Sequence, residues 1–115
     1  GVASLFDRVT LYNQAITSLG SEIETAARTM IDLYTLKDAV TKKDVDYQSA
    51  AGELINISTS GRIPSSDVVT NASSQLSQAR TIRDTTKSMI TSCEAEHKEI
   101  LAEEERKRQN IIPIY

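Results

Sequence analysis

The chain has no tryptophan, one phenylalanine and one histidine among its 115 residues, and aromatic side chains make up 4% of it. Large rings supply much of the bulk of a thick core. Their scarcity points instead to thin packing between helices. Cysteine occurs once, at Cys93, so no disulfide framework can staple the fold. An intracellular, cytoplasmic setting is therefore expected. Two prolines and four glycines leave long stretches without punctuation. No apolar run approaches the roughly 20 residues of a membrane span, and the first residues do not read as a secretory signal.

Charge is present but balanced. Charged residues make up 25%, for a net charge of -3. A dedicated nucleic-acid binder needs a basic stripe, so no nucleic-acid partner is expected. Asn56-Ile57-Ser58 and Asn71-Ala72-Ser73 match the glycosylation tripeptide, which arises by chance in a chain this rich in Ser and Thr.

What the chain does have is a long apolar ridge. Steps of four and three from Leu5 fall on Val9, Tyr12, Ile16, Leu19, Ile23, Ala26, Met30, Leu33, Lys37, Val40, Asp44, Tyr47, Ala51 and Leu54. Only Lys37 and Asp44 are not apolar. This spacing is the seam of a coiled coil or long bundle helix. As one helix it spans about 75 Å, and its stripe must be buried against something. Lys37 and Asp44 are expected to set register, as polar seam residues do.

Punctuation divides the chain once. Ser4 with Asp7 resembles a capping box, so a helix is expected over about 4–57. Thr41-Lys42-Lys43-Asp44 is a second capping-like pattern that would split this helix near Val40; the frame shared by Val40 and Tyr47 favours continuity. A turn is expected over about 58–65, where Gly61 closes one helix and Pro64 with Ser65 or Ser66 opens the next. The second helix is expected over about 66–109. Its apolar face is weaker: Val68, Val69, Ala72, Leu76, Ala79, Ile82, Met89, Ile90, Cys93, Ile100 and Leu101 follow a 3.6 period better than a heptad. Glu103 with Lys107 and Glu104 with Arg108 stand four apart, as on a solvated helix end. Pro113 should stop the helix, leaving a tail over 110–115.

No catalytic or cofactor signature emerges. Cys93 and His97 lie one turn apart, but a zinc site normally needs three or four protein ligands. A thiol nucleophile also needs an oxyanion hole and an orienting group. No metal, no cofactor and no enzymatic activity are expected. Lys42 and Lys43 on one arm, and Arg80 and Arg83 on the other, stand at similar distances from the turn. They are candidates for one basic patch.

Leu36-Lys-Asp-Ala-Val-Thr-Lys-Lys-Asp-Val-Asp-Tyr-Gln48, the turn near Gly61, and the Glu/Lys/Arg-rich Glu94–Gln109 resemble the last two helices of the BAR domains of sorting nexins. The resemblance implies a dimeric, curved helical scaffold on endosomal membranes, with Lys42, Lys43, Arg80 and Arg83 contacting anionic lipid.

The residues themselves predict an all-α fold: an elongated antiparallel helical hairpin or coiled-coil bundle forming a single domain or fragment over 1–115. The expected function is a non-enzymatic coiled-coil module for protein–protein interaction or oligomerisation, a scaffold within a larger assembly. Its partners would be protein helices, with self-association foremost because two helices alone leave apolar stripe exposed. The alternative is the BAR-like membrane scaffold, peripheral to an anionic membrane.

Overall fold

The computed structural model describes residues 2–114 and, for side chains, residues 4–114. The fold is all-α. Helix α1 (Val2–Thr59) and helix α2 (Ser66–Ile111) form an antiparallel hairpin. Among the described residues, no helix is long and apolar enough to cross a membrane.

Helix α1 passes through Val40 and Thr41 without a break. The Thr41 hydroxyl donates to the Lys37 carbonyl at 3.1 Å, so it bonds back along the helix instead of capping a new one. Ser4 likewise lies inside the first turns of α1 and not ahead of them. In the Ser/Thr-rich middle of α2, Thr81, Thr86 and Ser88 likewise donate to the carbonyl four residues back, and the helix continues through them.

The turn is built from local chemistry. Gly61 adopts φ +73°, the left-handed region that a Cβ disfavours, two residues beyond the end of α1. The Ser60 hydroxyl donates to the Ile57 carbonyl at 3.1 Å, satisfying an acceptor left over at the helix end. Ser65 then caps α2. Its Oγ accepts from the Val68 N–H at 3.2 Å, and its carbonyl accepts from the Val69 N–H at 3.2 Å. After α2, Pro113 lies in a turn closed by the Ile114 N–H and the Ile111 carbonyl at 3.0 Å.

The hairpin divides into two compact units. One, residues 34–91, holds the turn. There α1 presents Leu36, Val40, Lys43, Tyr47, Ala50, Leu54 and Ile57, and α2 presents Ala72, Leu76, Ala79, Arg83, Thr86 and Ile90. The other unit holds residues 1–33 and 92–115. There α1 presents Tyr12, Ala15, Leu19, Glu22, Ala26, Thr29 and Leu33, and α2 presents Cys93, His97, Ile100, Glu104, Lys107 and Ile111. Every one of these residues is buried or half-buried. The α2 set runs in strict steps of four and three. The weaker 3.6 period expected for α2 is thus corrected: its seam is a heptad whose polar members hide it from a search for apolar residues alone.

The core is thin. Among the described residues only Ala26, Thr29 and Ala72 are buried, and no large side chain is. Gly61→Ala should destabilise the fold by about 1 kcal/mol, the cost of a Cβ in the left-handed region. Circular dichroism should show the melting midpoint falling by roughly 3–6 °C with helix content unchanged at low temperature.

Candidate interaction surface

The inner seam of the unit holding residues 1–33 and 92–115 is held by polar contacts between its two helices. The Lys107 ammonium meets the Glu22 carboxylate at 2.8 Å, and both side chains are largely covered. Lys107 therefore pairs across the helices and not with Glu103 on its own helix. Glu103 pairs with Arg106 instead. Glu104, half-buried in the seam, bonds Arg108 as the spacing of four predicts.

A second contact lies at Thr29, which is 6% exposed. Its hydroxyl donates to the Ala26 carbonyl at 2.9 Å and stands 2.6 Å from His97 Nδ1. A hydroxyl has one proton. The Thr29 hydroxyl accepts from Nδ1 or donates to it according to the His97 tautomer. Cys93 Sγ points to the Thr29 carbonyl at 3.7 Å. Cys93 and His97 thus both serve the contact with Thr29. Partial burial pushes the Cys93 thiol pKa upward, and the carboxylates of Asp32, Glu96 and Glu94 add to the shift. The effect is opposite to what activates a nucleophilic thiol.

The candidate basic residues are engaged locally. In the unit holding the turn, Arg83 Cζ lies 4.1 Å from the Tyr47 ring centroid and Arg80 Cζ lies 5.8 Å from it. Arg83 also reaches Asp84 at 3.1 Å and Asp44 at 3.5 Å, and only 17% of its side chain is exposed. Asp44 therefore acts in the seam as a partner of Arg83. Lys42 pairs with Asp38 at 3.0 Å, and Lys43 approaches Asp46 at 3.9 Å. Lys37 lies exposed.

The residues of the sequence-derived ridge separate into two columns. Tyr12, Leu19, Ala26, Leu33, Val40, Tyr47 and Leu54 face α2 and are covered or half-covered. Leu5, at the start of the same column, is exposed. The other column turns outward: Val9, Ile16, Ile23 and Met30 remain 52%, 42%, 48% and 49% exposed. Steps of three and four extend this outward column into a second complete set: Phe6, Val9, Asn13, Ile16, Gly20, Ile23, Ala27, Met30 and Tyr34. All nine are exposed. The first part of α1 therefore carries two seams side by side. One is filled by α2 and one is bare.

Sequence reasoning missed Glu22, Thr29, His97, Glu104 and Lys107 as seam residues. It also missed Phe6, Gly20, Ala27 and Tyr34 as members of the outward set. A signal for the first group was available. Glu22 and Lys107 carry opposite charges at similar distances from the turn.

Thr29→Val should cost about 1–2 kcal/mol in urea unfolding by removing the hydroxyl that hydrogen-bonds His97 Nδ1, whereas Thr29→Ser should cost less. Cys93 should react slowly with iodoacetamide at neutral pH and faster only above the usual thiol range, near 8.5. The folded thiol holds its proton more tightly than the unfolded one. Its contribution to stability is therefore full below the unfolded pKa and is lost as pH rises through the folded pKa. An alkylation profile matching that of a free cysteine peptide would contradict this.

No family model, no curated protein and no solved structure matches the chain.

Proposed function

We propose that this chain is a non-enzymatic helical association module. It works by offering the outward seam of α1 to helices of another chain and so joins larger assemblies as a scaffold element. The observation that carries this reading is the bare column of Val9, Ile16, Ile23 and Met30 beside an inner seam that contains Glu22, Thr29, His97, Glu104 and Lys107. The more apolar of the two faces is the one left in water. A contiguous apolar patch of this kind marks an interaction site. Covering the half of one such side chain that is still exposed is worth about 1 kcal/mol.

The basic residues support a protein partner over a lipid surface. Lys42, Lys43 and Arg83 each stand against a carboxylate, and Arg83 is held over Tyr47. A lipid-binding patch gains about 1 kcal/mol per cation near an anionic surface. Arg83, only 17% exposed and held by Asp44, Asp84 and the Tyr47 ring, is poorly placed to contribute, whereas the Lys42 and Lys43 pairs are exposed and weak.

Light scattering of the purified chain should give a mass above that of one chain. Ile16→Lys combined with Ile23→Lys should weaken association by about 100-fold or more, while circular dichroism retains the helix content, because both side chains point away from α2. A wild-type chain that keeps the mass of one chain and still unfolds cooperatively as a stable hairpin would overturn the reading.

A further inference from the structure

We propose that the partner is a second copy of the chain, laid antiparallel along the outward face of α1, with Gly20 of one copy crossing Gly20 of the other. The inference rests on the association reading above and adds its partner and register.

The outward set reads nearly alike in both directions from Gly20. Ile16 and Ile23 flank it on either side. Asn13 and Ala27 follow, then Val9 and Met30, and aromatic Phe6 and Tyr34 stand at the two ends. None of these positions carries a charge. Laid antiparallel on itself about Gly20, the face opposes Ile16 to Ile23, Val9 to Met30 and Phe6 to Tyr34. Glycine then meets glycine at the centre, isoleucine meets isoleucine beside it, and aromatic rings meet at the ends. A two-fold interface uses the same patch twice and must be self-complementary in this way. A foreign helix imposes no such symmetry on the face it covers.

Gly20 is otherwise hard to explain. Glycine is unfavourable inside a helix. Within one chain a Cβ added there would meet nothing within 4 Å, so the hairpin does not require it. Gly52 is equally open, but Gly20 alone stands at the centre of the outward set, where a missing Cβ would let two helix backbones approach closely.

The area fits a dimer as well. The chain exposes 8456 Å². A compact protein of its 12.7 kDa mass exposes about 6,200 Å². The excess, about 2,200 Å² relative to that scaling, is spread over both helices and leaves room for an interface of the usual roughly 800 Å² per partner.

Cross-linking tests the register. In a Cys93→Ser background, chains carrying Val9→Cys and chains carrying Met30→Cys, distinguished by mass tags, are mixed and treated with a short bismaleimide. The mixed product should exceed either self-product by about tenfold or more. In parallel, Gly20→Leu should retain or raise the helix content while raising the dissociation constant about tenfold or more. Self-products in excess, as a parallel pair would give, overturn the inference and leave the association reading standing. So does the absence of any cross-link in a preparation whose mass exceeds one chain. A single-chain mass for the unsubstituted protein removes both.

Discussion

Polar contacts between the helices decide which side of α1 meets α2. Glu22 with Lys107 and Thr29 with His97 do this in one unit, and Asp44 with Arg83 in the other. Covered ion pairs add little net stability. Their effect is on orientation. Turn α1 by one column and Ile23 and Met30 would face His97, Glu104 and Lys107. His97 and Lys107 would then lie against hydrocarbon without their partners Thr29 and Glu22, at a cost of about 1–3 kcal/mol for a neutral group and more for a charge. The observed orientation avoids that cost and leaves the apolar column outside.

The division of labour follows. The inner seam supplies specificity and little bulk, since its buried members among the described residues are two alanines and a threonine. The outer seam holds bulk without a partner inside the chain. A hairpin of this kind gains most when its bare stripe is covered, because apolar area removed from water is the largest favourable term open to it. The proposed association would then draw on a face of α1 adjacent to the one that packs on α2.

The residues that most invite a chemical reading serve this packing. Cys93 and His97 converge on Thr29. Arg80 and Arg83 gather at the Tyr47 ring. Each gives α2 a polar or cationic group at a level where α1 offers its complement. In a seam with so few large side chains, these matched positions hold the two helices in register.

Two long helices, the turn at Gly61 and the apolar character of α1 were legible from local chemistry, because helical period, caps and breakers act through neighbours in sequence. The ridge itself was legible only as a single stripe. Val9, Ile16, Ile23 and Met30 looked inseparable from Tyr12, Leu19 and Leu33, since adjacent columns of a helix are both apolar here. Likewise the heptad of α2 was hidden behind Arg83, His97, Glu104 and Lys107. Only the tertiary structure separated the columns. Whether a polar residue belongs inside depends on a complement across the gap, and that complement lies up to 85 residues away along the chain.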